Sequence, residues 1–377
     1  MLYAQPMPTP EEFTAAELYD PVEHDGTGRI ELLHWLIDKG FTIEDMQQAL
    51  LAGNLEALAG DRQIASSRTL SRAEALDITG LDNDRLEALA MAFGFMPIYP
   101  NSATEITFTE AEAEAISIVG ALSFMFSDAE AAGLIRVIGS SLGRIAEAAV
   151  SVFLADIESP HLAAGGNELE LAKKAEEAVG LLDGFSDLFD PVLRRHLLQA
   201  TVRIREATID RMERFGYRYA VGFVDLVGFT ALSGDMDAPD LAAFIRDFEG
   251  RAQDQVVATG GRVVKMIGDE VMFVSTDPSA ACRAATALMS GLDDVDGLTV
   301  APRGGIAYGE VLLRGGDYYG SVVNLASRLA DQAVPMELLV TSEVVASASG
   351  FDFELAGRRM LKGFPEPVVA HSLICER

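Results

Sequence analysis

The chain has 377 residues, 49 % of them apolar, and a formal net charge of −29 from 58 acidic and 29 basic side chains. That length leaves room for two separate cores, and the excess of negative charge argues against nucleic acid as a partner, because it repels a phosphate backbone. Cys282 and Cys375 give no disulfide framework, and the start Met-Leu-Tyr-Ala-Gln-Pro has neither a basic region nor an apolar run, so a cytosolic protein is expected.

Residues 1–190 read as an all-helical domain, with almost no strand patterning and with Gly and Pro separating helix-like runs. Thr9-Pro10-Glu11-Glu12 is a helix start, Thr as cap and Pro at the first helical position. Ile30–Lys39, Thr42–Ala52 and Leu81–Phe93 have the period of amphipathic helices. Thr107–Phe126 and Ala131–Ile157 read as longer, more apolar helices. Arg136, Arg144 and Glu147 interrupt the second, and no uncharged run reaches about 20 residues, so a buried core helix or a dimer interface is expected in place of a membrane span. Most of the excess negative charge lies upstream of Arg218 and is read as a solvated face.

Residues 191–216 form a connecting segment. Pro191–Phe215 is a helical run with Pro at its start and Gly216 after its end. It contains Arg194-Arg195-His196 and leads within a few residues into the strands that follow. A helix placed there is positioned to pass a rearrangement on to Asp225; a passive linker has the same pattern.

Residues 217–377 alternate between strand and helix. Tyr219–Asp225 reads as a buried strand and Leu241–Val257 as a helix ended by Gly260-Gly261. Arg262–Ile267 and Glu270–Ser275 read as a hairpin, and Pro278–Leu292 as a helix with Cys282 as core filling. Thr299–Tyr308 and Glu310–Arg314 read as strands. A helix carrying Asn324 and Arg328 follows, and Glu337–Thr341 and Val368–Ile374 close the sheet. The fold class expected is α+β, an all-α N-terminal domain followed by a ferredoxin-like core.

Two carboxylates stand at strand ends in this part, Asp225 in Phe-Val-Asp-Leu-Val-Gly-Phe-Thr and Asp269 in Lys-Met-Ile-Gly-Asp-Glu-Val-Met. Together they make an oxygen-rich site suited to magnesium or manganese beside a phosphate. An aspartate after a strand is also an ordinary turn former, so neither decides alone. Downstream, Asn324 and Arg328 are four apart and share a helical face. An amide orients a sugar oxygen and a guanidinium forks phosphoryl oxygens, although a polar helix face accounts for the spacing equally well. No Ser/His/Asp or Cys/His arrangement competes with these residues.

In order and spacing, the motifs around Asp225, Lys265–Asp269 and Asp317–Asn324–Arg328 resemble the catalytic motifs of the class III nucleotidyl cyclases, from about Tyr217 to the C-terminus. The resemblance implies that Asp225 and Asp269, with the carbonyl of Leu226 nearby, hold two divalent ions, Mg²⁺ or Mn²⁺. It makes Lys265 and Asp317 the purine-selecting pair and assigns Phe229 and Thr230 to substrate binding. Asn324 would orient the ribose, and Arg328 would stabilise charge on the α-phosphate. Lys362 sits where the family often places a triphosphate-binding lysine, and a surface lysine near a turn is an equal account. Ammonium only donates and carboxylate only accepts, so Lys265 matches adenine N1 and Asp317 its N6 amine; the pair selects ATP over GTP. The implied reaction is attack of the ribose 3′-oxygen on the α-phosphate, giving 3′,5′-cyclic AMP and pyrophosphate.

Lys265 and Asp269 lie four residues apart along a strand, roughly 13 Å at about 3.3 Å per residue, which suits service to two different sites. In the resembling family the sites lie at a head-to-tail dimer interface, so a homodimer with two composite sites is expected. The whole layout is similar to the soluble two-domain adenylyl cyclases of mycobacteria and related actinobacteria, whose pH-sensing members carry an autoinhibitory helical domain and a switch helix. That likeness implies regulation by pH, with His196 as the candidate group, or by a fatty acid or other lipid among residues such as Ile118, Phe124, Ile135 and Leu142. A surface histidine beside two arginines accounts for His196 equally. A guanylyl or relaxed-specificity cyclase, a silent nucleotide-binding module, and a polymerase-like or diguanylate-cyclase enzyme are the alternatives. The last lacks the Asp317–Asn324–Arg328 pattern.

Overall fold

The computed structural model describes residues 7–65, 68–95, 107–122, 125–208, 216–292, 294–295 and 298–374. They divide into two compact units, Met1–Leu193 and Arg194–Arg377.

The first unit is helical, and its described residues form two apolar cores. One gathers Phe13, Leu32, Leu33, Leu36 and Met46; the other gathers Leu86, Ala90, Phe108 and Ile116. Thr9 caps the helix Pro10–Ala15 through a reciprocal capping box with Glu12, as its sequence predicts. The expected helix over Thr107–Phe126 starts later. Phe108–Thr109 is a short strand paired with Thr69–Leu70, and the helix is Glu110–Leu122. The cause is local: the Thr109 N–H donates to Glu112 Oε2 and the Glu112 N–H to Thr109 Oγ1, a box that holds the chain extended before Glu110.

The longest apolar helix runs Asp128–Phe153 and continues through a π-helical turn, Leu154–Glu158, into Ser159–Ala163. It is not a buried core helix, the first of the two roles expected of it; the second, a dimer interface, is compatible with its exposure. Ile135 is its one buried residue among those described, and Leu134, Ile138, Leu142, Ile145 and Val150 are exposed. By length and composition alone the stretch could cross a membrane. Of the four residues named for a lipid cavity, Ile118 and Leu142 are exposed, Ile135 is buried, and Phe124 lies outside the described residues.

The connecting helix runs Phe185–Ala207, so Pro191 sits inside it and not at its start. The missing proline N–H removes one helical hydrogen bond, but the helix is already established by the residues before it. The rest of the expected run to Phe215 lies outside the described residues.

The second unit is built on a twisted sheet of strands β1 (Tyr217–Val227), β2 (Arg262–Ile267), β3 (Glu270–Ser275), β4 (Ala301–Arg314), β5 (Asp317–Tyr319), β6 (Leu338–Thr341), β7 (Phe353–Arg359) and β8 (Val368–Leu373). The order is β7-β8-β6-β4-β1-β3-β2, with β5 paired to β4. Among the described residues, only β4 and β6 pair in parallel within this sheet. Helices α1 (Phe229–Asp235), α2 (Ala238–Ala258), α3 (Pro278–Gly291), α4 (Ser321–Gln332) and α5 (Ser342–Ser347) complete it. The two strands expected at Thr299–Tyr308 and Glu310–Arg314 are one, because β1 pairs with β4 without a break from Tyr217↔Val311 to Val227↔Ala301.

Period-two alternation in β1 sends its side chains to opposite faces. Ala220, Val224 and Leu226 join Phe244, Phe248 and Ala252 of α2 and Cys282, Ala285 and Leu288 of α3. Tyr219, Val221 and Phe223 join Ala326 and Ala330 of α4. Asp225 has the parity of the second set, which places it on the α4 face. Helix α4 lies close against β4 because Gly305 has no side chain: a Cβ there would stand 2.4 Å from the Ala326 carbonyl oxygen and the Ala330 nitrogen.

Candidate active site

Asp225 stands near the end of β1, opposite Glu270 on one side and Arg303 on the other. Beyond it Gly228 turns the chain at φ 87°, a conformation that favours glycine, and α1 begins. Asp269 occupies the turn between β2 and β3, after Gly268 at φ 65°. Burial first, then the charge of Asp225 and a hydrogen bond with it, push Asp269 up to about 6. Burial, then Asp225, Asp331 and Asp269, push Glu270 up to about 7. Arg303 offsets part of this charge. Its Nε and Nη2 donate to Asp225 Oδ2 at 3.1 and 2.9 Å, and its Nη1 donates to the Asp331 carbonyl at the end of α4 at 3.0 Å.

The donor chemistry fits divalent ions. Two neighbouring carboxylates whose mutual repulsion raises a pKa are neutralised by a hard cation. Among the described residues no group of three or more His, Cys, Asp or Glu forms a closed cage. Magnesium keeps waters and substrate phosphates and needs only one or two protein carboxylates. Leu226, next in the strand, is buried.

Lys265 and Asp317 meet at a second place. A bulge in the β2–β3 pairing falls between Val263 and Lys265. Lys265 Nζ donates to Asp317 Oδ2 at 2.5 Å, and the Tyr318 N–H donates to Asp317 Oδ1 at 2.8 Å. Lys265 also lines an open groove of about 830 Å³ between β2 and α2, with Ile245, Arg246, Glu249 and Gln253. Strand β2 is a sheet edge.

Helix α4 carries Asn324, which is exposed, and Arg328, whose Nη1 donates to Asp331 Oδ2 at 2.6 Å. Lys362 is exposed on the loop anchored by Leu361, which packs in one cluster with Leu329 and Ala333 of the same region.

The chain therefore brings Asp225 to Asp269 and Lys265 to Asp317, as two separate groupings. Arg328 is engaged with Asp331 on its own helix. Phe229, expected to contact substrate, is partly buried against the core and stacks on Phe244 at 5.2 Å. Thr230 is the next residue of the same short helix. His196 is exposed on the connecting helix. Sequence reasoning missed Arg303, Glu270 and Asp331. Arg303 had a signal: it is the lone charge in Ala301–Ala307, and pairing that segment antiparallel to β1 sets it opposite Asp225.

Residues 13–204 match the adenylate cyclase regulatory domain, and residues 217–374 match the adenylate and guanylate cyclase catalytic domain. An uncharacterized protein of Mycobacterium tuberculosis is 33 % identical, over 95 % of this chain and 92 % of its own length. An adenylate cyclase of Streptomyces coelicolor is 32 % identical over 79 % of this chain and 78 % of its own. A pH-sensitive adenylate cyclase of M. tuberculosis is 28 % identical over 90 % of this chain and 86 % of its own. The chain belongs to the two-domain adenylate cyclases, a helical regulatory domain followed by a class III catalytic domain.

Proposed function

We propose that this protein converts ATP to 3′,5′-cyclic AMP and pyrophosphate at two composite sites of a homodimer. Asp225 and Asp269 of one chain act with Lys265, Asp317, Asn324 and Arg328 of the other. The observation that carries the reading is the grouping of polar residues within one chain: a carboxylate pair in one place, a lysine–aspartate pair in another. Lys265 donates to adenine N1 and Asp317 accepts from N6, so guanine, with the reverse pattern, leaves both unmatched. Asn324 orients the ribose so that its 3′-oxygen faces the α-phosphate. Arg328 exchanges Asp331 for the charge that builds on the α-phosphate. Lys362 reaches the outer phosphates. Divalent ions at Asp225 and Asp269 would activate the 3′-oxygen and offset charge on the leaving pyrophosphate.

We assign residues 1–190 to regulation and dimerisation, 191–216 to the connection and 217–377 to catalysis. The pH-sensitive relative supports proton control of this activity, with a lipid as a second candidate signal. The test is cyclic AMP formation by the full-length chain with Mn²⁺ or Mg²⁺, from ATP and from GTP, across about pH 5.5 to 8 where histidine titrates. Product from ATP and far less from GTP is expected; equal use of both nucleotides overturns the assignment of Lys265 and Asp317.

A further inference from the structure

Asp317 is held from behind by aromatic packing. The next residue, Tyr318, has 4 % of its surface exposed and meets Tyr219, which is fully buried, edge to face at 5.0 Å. Arg262 lies over the Tyr318 ring at 5.8 Å. Its Nη1 reaches the Tyr318 hydroxyl only at 3.5 Å, the limit of a hydrogen bond. The ring, more than the hydroxyl, is what holds this residue. Through its N–H, Tyr318 in turn fixes Asp317 Oδ1 and leaves Oδ2 to Lys265.

The same packed cluster contains Ala207, the last residue of the connecting helix, which is 4 % exposed. The helix end is fastened on both sides. Thr208 bridges to Tyr217 at the start of β1, and Thr276 Oγ1 donates to Glu206 Oε2 at 3.1 Å. The end of the helix thus packs in the cluster behind the purine-reading aspartate, while Asp225 is held from elsewhere, by Arg303.

We propose that Tyr219 and Tyr318 are positioning residues for base selection, and that a movement of the connecting helix at Ala207 acts on the reading of the purine through them. This inference rests on the adenine-reading role proposed for Asp317. A movement there changes KM for ATP and the preference over GTP before it changes metal dependence. Displacement of a positioned group by about 1 Å costs on the order of a hundredfold.

The test uses the full-length chain and steady-state kinetics with ATP and GTP. Tyr318→Leu keeps an apolar side chain but loses the edge-to-face ring, and should lower the ATP:GTP ratio of kcat/KM by about tenfold, mainly through KM for ATP. Tyr318→Phe keeps the ring and should bring the ratio back to within about twofold. Ala207→Val adds bulk beneath the helix end and should shift KM for ATP in the same direction with the Mn²⁺ requirement unchanged. Thermal melting of each variant identifies any that fails to fold, and Tyr318→Met, which also removes the ring but fills the space with a flexible apolar side chain, then serves in place of Tyr318→Leu. An unchanged ratio in folded Tyr318→Leu, with Asp317→Ala lowering it, overturns the role of the tyrosines. An unchanged ratio in Asp317→Ala overturns the base-reading premise itself. A shift in Tyr318→Leu with none in Ala207→Val overturns the part of the helix.

Discussion

Lys265 and Asp317, fifty-two positions apart in sequence, form an ion pair at 2.5 Å within one chain, with the lysine side chain 41 % exposed. At that exposure the pair contributes little to stability, about 0–1 kcal/mol. On the function proposed above, it is two groups that exchange each other for a purine edge. Lys265→Gln should therefore change stability by no more than about 1 kcal/mol, yet lower kcat/KM for ATP by about tenfold to a hundredfold, the loss of one charged hydrogen bond. Calorimetry beside steady-state kinetics checks this. A large stability loss with unaltered nucleotide preference would mark the pair as structural.

Arg303 was invisible as a functional residue until the strands were paired. Its three guanidinium nitrogens link Asp225 to the end of α4. Arg303→Gln removes the fork and leaves a half-buried carboxylate short of partners, a loss of about 1–3 kcal/mol. The metal-free protein should melt accordingly lower. Mn²⁺ with a non-hydrolysable ATP analogue should recover more stability in the variant than in the wild type, because the ion supplies the positive charge that was removed. Equal recovery in both proteins counts against a charge shared between arginine and metal.

How legible this molecule was depends on the kind of information each residue carries. Asp225, Asp269, Lys265 and Asp317 sit in short motifs, and the hairpin Arg262–Ser275 follows from alternation plus Gly268-Asp269. Arg303, Glu270 and Asp331 matter through cross-strand register and helix ends, which no local window records. Strand Phe353–Arg359 was missed because a bulge between Leu355 and Gly357 breaks its alternation. The Asp128–Phe153 helix stayed open between a buried core and a dimer interface for another reason. Apolar composition states what a helix would bury, and not whether its own chain supplies the cover.

Protons and metals should compete at the carboxylate cluster. Asp269 is raised from 3.8 to about 6 and Glu270 from 4.5 to about 7 in the folded protein, burial being the main cause. A carboxylate with a raised folded pKa favours the folded state while protonated, so this contribution is full below about pH 4 and is lost as pH rises through 6 to 7. The metal-free protein should melt at progressively lower temperature over that window, and Glu270→Gln should flatten the slope. A slope of the opposite sign would contradict the cluster's electrostatics. The same protonation weakens metal binding in acid. With metal ions held as proposed, the catalytic site alone should therefore lose activity below about pH 6. Any rise toward acid in the full-length protein must arise elsewhere, and His196→Ala tests whether the connecting helix is its source.

Composite sites make a prediction that no single-chain enzyme satisfies. Asp225→Asn should abolish the metal half of a site and Arg328→Ala the transition-state half, each leaving about a thousandth or less of wild-type activity. In a homodimer of either variant both sites are damaged. In a mixed dimer one site gathers both lesions and the other gathers none. Random reassociation gives half the dimers mixed, each with one of two sites intact, so about a quarter of wild-type activity should return on mixing. The mixture is made by co-expression with two tags and purified through both in sequence, which raises the expected recovery to about half. Continued silence of the doubly purified heterodimer would mean that Asp225 and Arg328 of the same chain serve the same site.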